Sequence, residues 1–304
     1  MFLQALIIVG LMVLMSFMGF IMRKTDAVGN ENKCLSVVLL YIAQPCMVVS
    51  ALQGYDYASS ALGNMGVMAL LAVITQTLIL AAAFFVFKFN KDDKQRRVYA
   101  FASAFSNCGF MGIPLMRALI PENTALPFYA VIYVIIFNLL AWTAGIYIIT
   151  GDKKYISLKN AFLNPVTLAL VVALPMFFFN VKFPEKLGDV ISVLGSMTTP
   201  LCMIILGIKL ADIKVKDLFS GVSVYVCAVI KLFIAPLFAY LITLPFDIEQ
   251  SVVIAITLAV AMPTASMTIV FAERHGGDVT AGAKAQLITT FLSILTVPII
   301  TLLF

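Results

Sequence analysis

Of the 304 residues, 62% are hydrophobic and only 12% charged, and the mean hydropathy is +1.06, whereas an ordinary soluble domain is roughly half apolar and about a quarter charged. That balance excludes a soluble globular fold and makes the chain an integral membrane protein. The formal net charge of +5 sits in short loops between apolar runs, so it describes topology and lipid headgroups rather than a patch for nucleic acid.

Ten runs with no charge, or almost none, follow one another at 1–22, 34–55, 57–87, 98–116, 123–151, 160–181, 190–208, 218–246, 250–272 and 285–304. Each meets the requirement of about 17 to 25 apolar residues for a spanning helix. Barrel strands would instead be ~10-residue alternating segments. The spacing therefore predicts an all-α bundle of ten transmembrane helices, spans 1 to 10. Span 1 lacks a positive amino-terminal region and runs straight into Arg23 and Lys24, which suits a first spanning helix rather than a secretory signal. Span 2 holds Gln44 and Pro45 in "YIAQPCMVVSAL", and span 3 holds Gln76. Span 4 contains "AFSNCGFMGIPLM", in which Asn107, Gly109, Gly112 and Pro114 crowd into eight residues of a membrane helix. Span 8 carries Lys231 about a dozen residues from its start, and span 9 is interrupted by "AMPTASMT", with Pro263, Thr264 and Ser266.

The loops orient the bundle. Loops 1, 3, 5, 7 and 9 hold 16 Lys and Arg, from Arg23, Lys24 and Lys33 through Lys209, Lys214 and Lys216 to Arg274 and Lys284; the even loops hold three, Arg117, Lys182 and Lys186. The positive-inside bias puts the odd loops in the cytoplasm and both termini outside the cell membrane. Cys34, Cys46, Cys108, Cys202 and Cys227 are odd in number and have no CxxC spacing, so they read as small buried apolar residues.

Sliding the chain by 155 residues lays spans 1–5 on spans 6–10, with Pro45 on Pro200 and the interruption of span 4 on that of span 9. Five helices per half make the second copy inverted, which divides the chain into repeats at 1–150 and 151–304. Inverted repeats with matched interruptions point to a secondary transporter whose site lies where the interruptions meet. An isolated break would leave up to four N–H and four C=O groups without partners, each costing several kcal/mol in hydrocarbon. If the two breaks cross, each can serve the other, with Gly109 and Gly112 tolerating positive φ, Pro114 and Pro263 starting the second halves, and Thr264 and Ser266 pairing freed backbone groups. The carbonyl of Asn107 is expected to accept from a freed N–H while its amide faces a ligand. The restarted half-helices present partial positive charge at mid-membrane, where an anion is favoured. The simpler readings are a proline kink and an interhelical hydrogen bond through Asn107.

Lys231 costs about 2.5 to 3.5 kcal/mol or more at such a depth unless it is paired or snorkels to an interface. No acid lies at a central position, so half-helix carbonyl ends or a substrate are its expected partners, and the 155-residue offset sets Gln76 opposite it. Enzyme chemistry finds no support: there is one histidine, His275, in a loop, and no HExxH, P-loop or dinucleotide fingerprint. No cofactor is expected.

"SNCGFMGIPL", "LYIAQPCMVVSAL", "FNLLAWTAG" and "AMPTASMTIVFAERHGGD" together resemble the auxin efflux carrier family, relatives of plant PIN-FORMED carriers and of bacterial malate and malonate permeases. The resemblance covers essentially the whole chain. It implies two inverted five-helix repeats, a scaffold of spans 1, 2, 6 and 7, a moving domain of spans 3–5 and 8–10, an elevator movement of broken crossover helices 4 and 9, and a homodimer in membrane lipid. It also implies a small organic anion held near Asn107, Gly109, Pro114, Pro263 and Thr264, with Gln44 and Pro45 on the scaffold side. The plant carriers place an asparagine in the second break too, where this chain reads "AMPTAS", and many have a long fifth loop, here only "GDKKYISLKN". Two functions stay open: a secondary transporter of carboxylates such as malate, malonate or auxin-like acids, and a channel-like or sensory membrane protein.

With 16 of the 19 loop cations in odd loops, a reporter fused after Phe304 is expected to be active only when matured outside the cytoplasm. Activity confined to the cytoplasm reverses the orientation.

Overall fold

The computed structural model describes residues 1–28, 33–56, 59–211 and 220–304. Lys214 and Lys216 of loop 7, together with the starts of the runs at 57–87 and 218–246, lie outside the described residues. Among those described, every regular element is helical and the sole β-type pairing is an isolated bridge.

Seven helices are long and apolar enough to cross a membrane: α1 (Phe2–Lys24), α2 (Cys34–Gln53), α3 (Leu62–Phe89), α6 (Ala125–Thr150), α9 (Glu185–Ala211), α10 (Val222–Leu241) and α13 (Val279–Leu303). An eighth span is added if α7 (Lys153–Phe162) and α8 (Pro165–Phe178), bent by 41°, count as one. The remaining apolar segments are interrupted: α4 (Asp93–Ala104) precedes α5 (Cys108–Leu119), and α11 (Gln250–Ala261) precedes α12 (Met267–His275). Local chemistry sets many ends. Asp92 caps α4 by accepting from the N–H groups of Lys94 and Gln95, Asn164 caps α8 ahead of Pro165, and Asp278 caps α13. The bend between α7 and α8 falls at that Asn-Pro pair, where a new cap starts a new helix.

Four spans carry a wide turn, at Leu39–Ala43, Cys108–Gly112, Ala141–Gly145 and Ile230–Ile234. Three of these stand just before a proline in the next turn: Pro45, Pro114 and Pro236. The ring has no N–H to give and collides with the preceding turn, so the helix widens to an i→i−5 bond, as from the Gln44 N–H to the Leu39 carbonyl. Proline in these spans thus produces a bulge rather than a stop.

α1 lies along α9, and α2 is flanked by α8 and α9; α3 packs on α4 and α6, α6 on α11, and α10 on α11, while α1 also packs on α13 and joins the two sets. The α1–α9 seam is a backbone contact. A Cβ on Gly19 would sit 2.1 Å from the Ile204 carbonyl oxygen, and one on Gly207 would sit 1.7 Å from that of Ser16. Among α4, α6 and α12, Phe101 and Phe105 stack at 4.3 Å at the end of α4, and Phe271 of α12 lies 5.6 Å from Phe101 and 4.7 Å from Trp142. Gly145 makes room for that cluster, since a Cβ there would meet the Phe101 ring at 2.7 Å. Burial of the cysteines holds for Cys108, Cys202 and Cys227, while Cys46 is half-buried and Cys34 exposed.

Because no side chain fits between α1 and α9, Gly207→Val is expected to cost at least the ~1–3 kcal/mol of ordinary overpacking, read as lost monodisperse protein and a lowered thermal midpoint. Gly10→Ala, whose methyl meets nothing within 4 Å, should leave both unchanged.

Candidate functional site

The two interruptions meet. Phe105, Ser106 and Asn107 run antiparallel to Pro263, Thr264 and Ala265, with Ser106 opposite Thr264. The Asn107 N–H donates to the Pro263 carbonyl at 2.7 Å, and the Ala265 N–H donates to that of Phe105 at 2.9 Å. Two backbone groups of each break are thereby satisfied by the other.

Side-chain hydroxyls finish the ends. Ser106 Oγ donates to the Val260 carbonyl of α11 at 3.2 Å, and Thr264 Oγ1 donates to the Ala102 carbonyl of α4 at 2.9 Å. The relation is reciprocal: Thr264 follows Ser106 by 158 residues, and Val260 follows Ala102 by 158. The Thr264 N–H is taken by Thr289 Oγ1 of α13 at 3.0 Å. Thr264 is fully committed to the fold, and so is Ser106.

Lys231, in the wide turn of α10, is wholly buried. Its Nζ donates to Ser106 Oγ at 2.5 Å and to the Val260 carbonyl at 3.0 Å. Snorkelling is excluded by this placement. The ammonium sits at the negative end of α11 and offsets part of its own burial through the helix dipole and a charge-assisted hydrogen bond. Gln76 is 1% exposed, and among the described residues neither its amide nor the Tyr133 hydroxyl has a hydrogen-bond partner.

Asn107 stands at the start of α5 with 4% of its surface exposed. Its side chain does not cap the helix; its backbone carbonyl takes the N–H groups of Met111 and Gly112 instead. The expected side-chain acceptor role is therefore filled by the main chain, because the bridge already fixes the strand. The side chains of Asn107 and of Ser266, at the start of α12, both lie near the Cys202 thiol of α9. Ser266 Oγ accepts from Gln286 Nε2 at 2.6 Å, which leaves its own hydrogen to donate. Two helix starts thus converge on one point, lined by an asparagine amide and a serine hydroxyl, where partial positive charge favours an anion.

Gly109 and Gly112 are not at positive φ, which among the described glycines occurs at Gly151, Gly221 and Gly276. They lie in the wide turn and serve close approach: a Cβ on Gly109 would meet Gln44 Nε2 of α2 at 3.3 Å, and one on Gly112 would meet Met262 at 3.2 Å. Pro114 occupies the first turn of the resumed helix as expected. Pro263 does not; it belongs to the bridge, and α12 resumes at Met267. Gln44 faces the break at Gly109, and Pro45 follows it in the first turn after the bulge of α2. Thr199 Oγ1 of α9 contacts the Phe110 carbonyl at 3.4 Å. Sequence reading missed Ser106, Cys202, Thr199, Gln286 and Thr289. A slide of 158 instead of 155 would have paired Ser106 with Thr264.

The family described as membrane transport protein matches residues 4–160 and 153–301. An uncharacterized transporter of Methanocaldococcus jannaschii is 23% identical over 300 residues, covering 95% of this chain and 96% of its own length. A Rhizobium meliloti protein named "Putative malonate transporter" is 24% identical over 304 residues, covering 92% and 90%. An uncharacterized transporter of Methanothermobacter thermautotrophicus is 23% identical over 288 residues, covering 93% and 92%.

Thr264→Val removes the only side-chain donor to the Ala102 carbonyl and should destabilise by about 1–3 kcal/mol, the cost of a buried unsatisfied acceptor, seen as a thermal midpoint lowered by several degrees. Lys231→Met should fold with a midpoint at or above the parent's, because Ser106 still serves Val260 and no buried charge remains.

Proposed function

The chain belongs to the membrane transport protein family, that of the auxin efflux carriers, and from that premise we propose that it is a secondary transporter of small organic anions, carboxylates first. The observation that carries this reading is that the two half-helix starts at Asn107 and Ser266 both lie near Cys202, with an asparagine side chain that does not cap its own helix. A carboxylate there accepts from the Asn107 amide and the Ser266 hydroxyl, and the electropositive helix ends favour its charge. Lys231, one residue's hydroxyl away through Ser106, adds positive potential without touching the substrate.

The architecture proposed for this transport is ten spans in two inverted repeats, 1–150 and 151–304, with α4–α5 and α11–α12 as crossover helices 4 and 9. The reciprocal capping at a constant separation of 158 residues supports it. The mutual packing of α1, α2, α8 and α9 supports a scaffold, with α1 also seated on α13 of the proposed moving domain, so that elevator movement carries the Asn107 site past Gln44, Thr199 and Cys202. The cell membrane, extracytoplasmic termini and a homodimer complete the proposal. The named malonate transporter from R. meliloti makes malonate and malate the first substrates to try, and saturable counterflow separates a transporter from a channel or sensor.

Asn107→Ala is expected to fold and to bind malonate or malate about ten- to a hundredfold more weakly, the ~1.5–3 kcal/mol of a hydrogen bond to a charged group. Asn107→Asp should be weaker still at neutral pH, since a carboxylate there repels the anion. Lys231→Met should also bind more weakly, and Lys231→Arg should keep part of the affinity. If Asn107→Asp binds as tightly as the parent, the anion does not sit at this break.

A further inference from the structure

Where loops 3, 7 and 9 end, three helices begin together. α4, α10 and α13 pack on one another in all three pairs, and their starts at Asp93, Val222 and Val279 surround a polar cavity of about 200 Å³. Two of the starts are closed by carboxylates, since Asp92 caps α4 and Asp278 caps α13. The third is open. α10 follows Gly221, and no side chain accepts from its first N–H groups. Those groups carry the positive end of a helix of 20 residues.

Side chains from all three helices add donors to the cavity wall. Lys284 Nζ donates from α13 to Ser220 Oγ at 2.7 Å, and no carboxylate lies within 4 Å of it among the described residues. Ser223 Oγ accepts from Asn90 Nδ2 at 3.1 Å, which leaves its own hydrogen to donate. Tyr99 of α4 lines the same cavity, 3% exposed and with its ring stacked on Phe87 at 5.7 Å, yet its hydroxyl has no hydrogen-bond partner among the described residues. Leaving such a group unpaired costs about 1–3 kcal/mol, which a ligand accepting from it recovers. A phosphate, with several acceptor oxygens, can take the lysine, the phenol, the serine and the open helix start together. Asp278 stands on the same wall, its carboxylate accepting from the Ala281 N–H at 2.9 Å. It opposes a second negative charge, so the wall suits a phosphodiester with one charge better than a monoester with two.

We propose that this cavity is a binding site for the phosphodiester of a membrane phospholipid, with Lys284, Tyr99, Ser223 and the first N–H groups of α10 on its oxygens. The ends of spanning helices lie at the level of the headgroups, where phosphodiesters are the membrane's own anions. The bound lipid clips together the starts of three helices whose later turns serve the bridge: α4 leads into the first break, α10 carries Lys231 and α13 carries Thr289. The cavity lies at the opposite end of α4 from Asn107, so this assignment does not depend on what is transported.

The test is native mass spectrometry and thermal unfolding of the purified protein with dioleoylphosphatidylglycerol, with dioleoylglycerol, which lacks the phosphate, and with inorganic phosphate. The phospholipid is expected to be retained and to raise the thermal midpoint, and dioleoylglycerol to do neither. Lys284→Met should weaken phospholipid binding about tenfold, and Tyr99→Phe, which keeps the ring stack, about threefold or more. Lys153→Met removes an exposed cation of loop 5 and should change binding less than about twofold. Asp278→Asn still caps α13 but removes the opposing charge, so it should strengthen binding a few-fold, a sign that damage to the fold does not give. Equal weakening in Lys153→Met and Lys284→Met marks general surface charge and overturns the proposal, as does binding unchanged in both Lys284→Met and Tyr99→Phe. Dioleoylglycerol held as tightly as the phospholipid removes the phosphate from the account. Inorganic phosphate that binds as tightly as the phospholipid and is lost in Lys284→Met gives the cavity to a soluble phosphate and overturns the lipid.

Discussion

A helix interrupted inside hydrocarbon must find partners for its backbone, and the rest of this molecule is arranged around that requirement. The bridge between Phe105–Asn107 and Pro263–Ala265 supplies two hydrogen bonds, the Ser106 and Thr264 hydroxyls supply two more, and Thr289 supplies a fifth. Each is short in reach, so the two breaks must lie within one hydrogen bond of each other. α10 and α13 then have to pass close enough to deliver Lys231 and Thr289, and the Phe101, Phe105 and Phe271 rings fill the space beside the half-helix ends.

A division of labour follows among the residues around the bridge. Ser106 and Thr264 look like ligand-binding hydroxyls but are consumed in holding helix ends, and Lys231 neutralises one of those ends. Asn107, whose backbone completes the bridge, does not cap its helix with its side chain, and that side chain stands at the start of α5, where the helix end is electropositive. Gly109 contributes by absence: with no Cβ, it lets Gln44 of α2 come against the break.

The membrane class and both interruptions were legible because hydropathy and helix-breaking residues are local properties of sequence. One partner of Lys231 was legible, since with no acid at a central position half-helix carbonyls or a substrate were the expected acceptors; the Ser106 hydroxyl was not. Which polar residues serve structure and which remain free was not legible, because it depends on hydrogen-bond geometry across helices more than a hundred residues apart. The 158 residues between Ser106 and Thr264 show the same limit: a slide of 155 aligns hydropathy, yet only the bridge fixes which residue faces which. The tolerance of positive φ at Gly109 and Gly112 goes unused for a different reason. A wide turn resumes the helix without leaving right-handed space, so the glycines answer to neighbours instead of to backbone strain.

The bridge joins residues separated by 158 positions, and this distance is also a delay. A ribosome adding roughly 5–20 residues per second needs about 8 to 30 s to proceed from Ser106 to Thr264. Throughout that interval the end of α4 and the start of α5 are already made, while the strand and the hydroxyl that satisfy them do not yet exist. The nascent first half must therefore wait at an aqueous or protein-lined insertion site, holding its unpaired groups away from lipid until α11 and α12 arrive. Assembly is thus governed by the completion of the last two spans, and any event that stalls synthesis between them strands a half-built protein with its most polar backbone exposed.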